Sequence, residues 1–323
     1  MSETPQIAAI AIGRNEGARL EACLASLTGQ ADVIVYVDSG STDGSVEMAQ
    51  AQGVEVVALD MSVPFTAARA RNAGIARVRD VVPEVEYIQF LDGDCVLDRD
   101  WIGVARTALD AEPGLAVVCG RRRERFPEAS LWNRMIDAEW DTPIGEVRAC
   151  GGDALMRVAA LEAVGGYPDQ MIAGEEPEMC FRMRQAGWRV KRLDVEMTLH
   201  DAAMTKLSQW WQRSRRAGHA YAEGAALHGG DSAERYNVAE TCRAVLWGVV
   251  LPVVAVLGVL FLGSVALLIL LVWPLQVLRL SRKGFDLSAA FFTVLGKFPE
   301  AQGVLGYWKN RLTGKERRLI EYK

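Results

Sequence analysis

Apolar residues along the first hundred positions fall into short runs that end in polar loops. Ile7–Ile12, Val33–Val37, Val54–Leu59 and Glu86–Leu91 read as buried strands. Leu20, Cys23, Leu24 and Leu27 recur at helical spacing between the first two. The polar loop Asp38–Ser45 leads into a helix reaching about Gln52, and Ala67–Val78 reads as a helix carrying Arg69, Arg71 and Asn72. Strand and helix alternate four times, the pattern of an α/β fold with a mostly parallel sheet and crossover helices. After Asp100 the pattern predicts a helix to about Ala111 and a strand at Leu115–Cys119. Arg121–Arg148 is mixed in charge and shows no period. Val195–Leu199 is strand-like. Gly174-Glu175-Glu176-Pro177-Glu178 precedes a helical run, and Pro177 suits its first position. Glu176 is then expected near the N-cap, with both carboxylates at the positive end of the helix.

The hydropathy pattern changes after residue 235. No charged residue occurs from Ala244 to Leu278. A straight helix of that length would measure roughly 52 Å against a hydrocarbon core of ~30 Å, too long for one crossing and slightly short for two. Breaks at Pro252, Gly258, Gly263-Ser264 and Pro274 suit a hydrophobic hairpin, either two short spans or a half-inserted turn. Arg279, Arg282 and Lys283 follow, as expected of a return to the cytosolic side. Leu287, Phe291, Val294, Leu295 and Phe298 form a stripe that suits an interfacial amphipathic helix at about 285–300, followed by a basic tail. The expected division is therefore a catalytic domain over 1–235 and a membrane-associated region over 236–323.

Composition narrows the classes. The chain has 323 residues, 50% of them hydrophobic, and a formal net charge of −5. That balance supports a large core and argues against a nucleic-acid binder held by bulk charge. Six scattered cysteines show no zinc or redox spacing and suit a reducing compartment. The N-terminus Met-Ser-Glu-Thr-Pro-Gln is too polar for a signal peptide, so the first domain is expected at the cytoplasmic face of the membrane.

The chemistry centres on Phe90-Leu91-Asp92-Gly93-Asp94, where an apolar strand delivers two aspartates to the edge of the sheet. With only glycine between them they can hold a divalent cation beside a phosphate, or simply form a polar turn. Ala11-Ile12-Gly13-Arg14-Asn15-Glu16, Val37-Asp38-Ser39-Gly40-Ser41-Thr42-Asp43-Gly44, Ala70-Arg71-Asn72-Ala73-Gly74, the Asp-Gly-Asp segment and Gly174–Glu178 follow in order. Together they make the first ~220 residues resemble a family 2 glycosyltransferase of the GT-A fold.

The resemblance implies a nucleotide-sugar donor, expected to be a UDP-sugar, and a divalent cation, Mn2+ or Mg2+, on Asp94 with Asp92 and His200. Asp38 would meet the base, Glu16 the ribose, and Arg71 the diphosphate or a carboxylate. Glu176 stands where the family places the catalytic base, usually an aspartate, with Glu175 as the alternative. Arg213 and Arg216 could reach the donor diphosphate or a lipid phosphate. Gln209–Arg216 departs from the Gln-x-x-Arg-Trp motif of processive members, because Gln212 occupies the arginine position. The implied activity is inverting transfer of one sugar to a membrane-embedded lipid-linked saccharide or glycolipid, in cell-surface polysaccharide or glycolipid assembly. The alternatives are a polyprenyl-phosphate monosaccharide synthase and a non-catalytic sugar-nucleotide sensor or scaffold.

Overall fold

The structure, a computed structural model, describes residues 6–230 and 233–314. The chain divides into two compact units, Met1–Thr205 and Lys206–Lys323. The division falls ahead of the expected one at 235.

In the first unit, β1 (Gln6–Gly13), β2 (Val33–Asp38), β3 (Glu55–Ala58) and β4 (Val85–Asp92) are the four expected strands. They alternate with α1 (Ala18–Leu27), α2 (Ser45–Ala51) and α3 (Ala67–Val81), and their pairings are all parallel. The chain continues through β5 (Cys95–Leu97), α4 (Trp101–Ala111), β6 (Leu115–Glu124), α5 (Leu131–Glu139) and β7 (Gly145–Glu146). It then forms β8 (Ala154–Arg157), α6 (Val158–Val164), α7 (Glu175–Gln185) and β9 (Arg189–His200). The sheet order is β3-β2-β1-β4-β8-β6-β9-β5, with β7 added on β9. β8 runs antiparallel to both β4 and β6, so the second half of the sheet is mixed. Fully buried Ile10, Tyr36, Tyr87, Ile88, Phe90 and Leu91 form part of the core under the crossover helices.

Three local expectations are corrected. Arg121–Arg148 is not irregular throughout, because β6 extends to Glu124 and α5 and β7 follow. Its charges were misleading because they are paired: Arg121 with Asp137 at 3.0 Å, and Arg123 with Glu196 at 2.7 Å. β9 likewise extends well beyond Val195–Leu199, since Lys191 pairs with Glu112 and Arg192 with Asp141. Finally, α7 begins at Glu175 behind Gly174, whose φ is +76°. Pro177 is therefore the third helical residue, tolerated because first-turn N–H groups have no intrahelical acceptor.

The second unit is helical: α8 (Leu207–His228), α9 (Val238–Val245), α10 (Leu251–Leu262), α11 (Val272–Ser281), α12 (Leu287–Leu295) and α13 (Lys297–Thr313). A π-helical turn, Leu246–Val250, joins α9 to α10, and a 3-10 segment, Gly263–Leu271, joins α10 to α11. α8 belongs with this unit because it packs closely on α13. A β-carbon at Gly218 would collide with the Glu300 backbone, and one at Gly303 with that of Arg215. Ala222, Ala244, Val304 and Tyr307 form a small core.

Val238–Ser281 is long and apolar enough to cross a membrane. It does not run straight. Gly263 has φ +69°, and Ala266 returns so close to Gly258 that a β-carbon there would stand 2.8 Å from it. The stripe expected on one amphipathic helix is split at Gly296, with Val294 buried and Leu287 and Phe291 exposed. The part of the basic tail from residue 315 on lies outside the described residues.

Candidate active site

Strand register assembles the site. β1 pairs Gly13 with Asp38 of β2 and Ile12 with Asp92 of β4, so three strands end together. This is the carboxyl edge at which open α/β sheets receive ligands. Asp38 is buried and shapes its own loop. Its Oδ2 accepts from the Gly40 and Ser41 N–H groups at 2.9 and 3.0 Å, and its Oδ1 from the Tyr36 hydroxyl at 2.9 Å. Glu16 pairs with Arg19 at 2.7 Å, and its side chain lies over Gly13 and Gly93. A side chain at position 93 would meet the Ile12 carbonyl at 3.1 Å, so glycine keeps the two aspartates close against β1.

Asp92 and Asp94 have different surroundings. Asp92 Oδ1 accepts from Arg71 Nη2 at 2.8 Å. Burial works to raise the Asp92 pKa, but the Arg71 and Arg122 guanidinium groups outweigh it and hold the carboxyl below its ordinary value. Asp94 is buried, and its Oδ1 lies 3.1 Å from His200 Nε2. The pair is aligned because β5 places Cys95 opposite His200 of β9.

Around this pair stands a layer that sequence reasoning did not identify. Asp153, fully buried, accepts from the Asp92 backbone N–H at 3.2 Å, from Thr198 Oγ1 at 2.9 Å and from Arg122 Nε at 3.0 Å. Arg122 lies over the Trp140 ring at 5.3 Å, and the Trp140 and His200 ring centroids are 4.7 Å apart. A β-carbon at Gly152 would press on Asp92 Oδ2 at 2.9 Å, Arg71 Nη2 at 3.1 Å and Arg122 Nη2 at 3.3 Å.

The donor set fits a divalent cation. Asp94 Oδ1 and His200 Nε2 offer adjacent oxygen and nitrogen atoms, with the Cys95 thiol, kept protonated by burial, as the third atom of the group and the Asp92 charge close by; the oxygen and nitrogen donors suit Mn2+ or Mg2+. His200 Nδ1, Arg122 Nη2, Arg71 Nε and Ser39 Oγ are buried with no hydrogen-bond partner. An unsatisfied buried polar group costs about 1–3 kcal/mol. Four of them on strands, helix and loop around one sheet edge mark a place built for a polar ligand.

The second carboxylate pair divides its tasks. Arg71 Nη1 donates to Glu175 Oε1 at 2.8 Å, so one buried guanidinium bridges Asp92 and Glu175. Glu176 faces elsewhere. Its Oε1 accepts from the Cys150 N–H at 2.7 Å and from the Cys150 and Cys180 thiols, both at 3.0 Å. Burial pushes the Cys150 thiol well up. A hydrogen bond to Cys150 works to lower Cys180, but burial and the Glu176 charge bring it to about 11. Both thiols are therefore protonated donors at neutral pH.

The first unit thus brings together Glu16, Asp38, Arg71, Asp92, Asp94, Glu175, Glu176 and His200. Arg213 and Arg216 stand on α8 of the second unit. Trp210 is buried against Phe292, with ring centroids 5.2 Å apart. Arg122 went unread because it sits among similar residues in Arg121–Arg125, and Asp153 because a lone acid after Gly151-Gly152 reads as a turn. The usable signal was position: a basic run ending β6, and an acid just before β8.

Comparison with known proteins follows from this geometry. The family model described as Glycosyl transferase family 2 matches residues 10–165. The O-antigen chain rhamnosyltransferase WbaN of Salmonella anatum is 24% identical over 176 residues, covering 50% of this chain and 54% of that protein. The succinoglycan biosynthesis protein ExoA of Rhizobium meliloti (strain 1021) is 25% identical over 214 residues, covering 61% and 64%. The chain therefore matches only about half to two thirds of the length of these curated relatives. Among solved structures, the mannosyltransferase PcManGT from Pyrobaculum calidifontis, in complex with GDP-Man and Mn2+, superposes with a TM-score of 0.59 at 18% identity. It covers 98% of this chain and 89% of that one. A glucosyl-3-phosphoglycerate synthase from Mycobacterium tuberculosis, in complex with Mn2+ and uridine-diphosphate-glucose, gives 0.51 at 17% identity, covering 68% and 78%. At these identities the likeness is one of fold, the α/β GT-A arrangement.

Proposed function

We propose that the chain, whose residues 10–165 match the glycosyl transferase family 2 model, is an inverting, cation-dependent glycosyltransferase of that family. It moves one sugar from a nucleotide-sugar donor, with UDP-sugars the first to test, to a lipid-linked saccharide or glycolipid at a membrane. The observation that carries the reading is the bridge Asp92–Arg71–Glu175. It ties the carboxylates at the end of β4 to those opening α7.

On this reading the donor lies at the joint carboxyl edge of β1, β2 and β4. Asp38 and Glu16 meet the nucleoside. Asp94, His200 and Asp92 hold the cation, which when bound supplies positive charge to the diphosphate as it leaves. Arg71 keeps Asp92 ionised and in place. The acceptor hydroxyl attacks the anomeric carbon while the bond to the diphosphate breaks, and a carboxylate takes the hydroxyl proton. Glu176 suits that task better than Glu175. Glu175 is committed through Oε1 to the Arg71 guanidinium. Among the described residues, Glu176 has its hydrogen bonds on Oε1, from one backbone N–H and two weak thiol donors. Attack on the face opposite the leaving group inverts the anomeric centre.

The uncharged stretch Ala244–Leu278 supports a membrane-resident acceptor, since an apolar anchor raises the effective concentration of a lipid substrate. Location at the cytoplasmic face belongs to the same proposal. The test is a donor screen on the purified full chain in a membrane mimetic. Nucleotide release is read with Mn2+ or Mg2+, with and without lipid extract. Cation-dependent release that rises with lipid is expected, and no release from any nucleotide sugar would overturn the proposal.

A further inference from the structure

The hairpin in the second unit is apolar on every side. Leu260, Phe261 and Leu262 are consecutive in α10 and 73%, 82% and 72% exposed. Consecutive helical residues point about 100° apart, so these three cover most of the helix circumference. Val256 on the first arm and Val265 and Leu268 on the second are exposed as well. A protein partner would cover one face of such a tip. Only a surrounding apolar solvent covers them all.

The arms also have a measurable reach. The first is held to the body of the unit as far as Gly248, where a β-carbon would meet Ala301 at 2.5 Å. α10 then projects for 12 residues, ~18 Å at the α-helical rise. The second arm, Gly263–Leu271, has nine residues, also ~18 Å at the 3-10 rise. It rejoins the body where Trp273 stacks on Phe298, with ring centroids 6.1 Å apart. The arms are matched, and Ala255 and Ala266 are buried on them. Their reach exceeds one leaflet of a ~30 Å hydrocarbon core and falls well short of both. The turn tolerates such a setting, because the Gly263 N–H donates to the Val259 carbonyl and the arms satisfy their own backbone. Charge returns where the arms end: Glu240 and Arg243 precede the first, and exposed Arg279, Arg282 and Lys283 follow the second. Cations at that level face lipid phosphates.

We propose that this hairpin enters a single leaflet of a bilayer containing anionic lipid, its Gly263 turn near the midplane, so that the chain is monotopic and does not span. The inference rests on the membrane part of the proposed function and fixes its depth.

The test is thiol labelling of the full chain bound to phosphatidylcholine–phosphatidylglycerol vesicles. Native Cys242 is exposed at the base of the first arm and serves as the near-side control. Phe261→Cys, with Val265→Cys as a second variant, places a thiol at the tip. A membrane-impermeant maleimide outside the vesicles should label Cys242, while the tip thiols lose labelling from both outside and inside until detergent is added. Without vesicles the tip thiols should label. Labelling from the vesicle lumen would mean a spanning hairpin and overturn the proposal. Labelling from outside would mean no insertion and overturn it equally. Protection without vesicles would assign the tip to a second copy of the chain, and overturn it as well. None of these outcomes reads turnover, so a failed topology and a failed donor screen are separate results.

Discussion

At the scale of single residues, the two aspartates at the end of β4 have distinct surroundings. Asp94 and His200 form a buried donor pair, whereas Asp92 is held ionised by guanidinium groups. Asp94→Asn should therefore lower cation-dependent kcat/KM by about 100-fold or more, the usual effect of deleting one electrostatic element from a catalytic site. Titrating Mn2+ against nucleotide release would check it, and unchanged cation dependence would remove Asp94 from the site. Glu176→Gln should lower kcat by about 100- to 10,000-fold and leave donor affinity unchanged, as expected of a lost general base. Calorimetric donor binding beside single-turnover transfer separates the two effects.

Arg71 is also structural. Arg71→Met would leave buried Glu175 and partly exposed Asp92 without their shared partner, at a cost of about 3 kcal/mol in urea unfolding, the low end for breaking a buried pair. Because folded Asp92 titrates below its unfolded value, its pair with Arg71 contributes fully above about pH 4. That contribution fades only as pH falls through the folded value. The difference between wild type and Arg71→Met should thus be flat from neutral to weakly acidic pH and shrink in stronger acid.

At the scale of elements, α3 shows how one short motif places three neighbours. Arg71 points to the carboxylates. Asn72 ties the turn after α6 to the helix, donating to the Tyr167 carbonyl at 2.8 Å and accepting from its N–H at 3.0 Å. Gly74 lets the helix lie against β1, where a β-carbon would meet Ile10 Cγ2 at 2.5 Å. Gly74→Ala should consequently destabilise the protein by about 1–3 kcal/mol through overpacking, read as a lower denaturation midpoint at unchanged slope. These first strands were legible in the sequence because both faces of a parallel sheet are covered, which leaves uninterrupted apolar runs such as Ile7–Ile12. β6 and β9 were only half legible. Their charged residues point to partners far along the chain, as Arg123 does to Glu196, and no local pattern reports a partner 73 positions away. Asp38, Asp92, Glu175 and Glu176 were visible in advance because they end a strand or open a helix, whereas Asp153, just ahead of β8, was not. Cys150 was not, since only the folded chain brings it to Glu176.

At the scale of the whole molecule, charge and hydrophobicity are segregated. The first unit gathers acids at one sheet edge, while the second exposes an uncharged hairpin. The feature with the widest kinetic consequence is the balance at that edge. Asp92, Asp94, Asp153, Glu175 and Glu176 are five carboxylates against the two guanidinium groups of Arg71 and Arg122, on a chain whose formal net charge is already −5. A nucleoside diphosphate sugar is itself an anion, and the bare edge repels it. On the proposed function, a divalent cation would therefore arrive first or in company with the donor, and leave after or with the released nucleotide. Addition should be compulsory in order: calorimetry should detect no donor binding in chelator, and initial-rate plots should show Mn2+ behaving as a leading reactant. Random-order kinetics would mean that the acids are neutralised by something other than the ion.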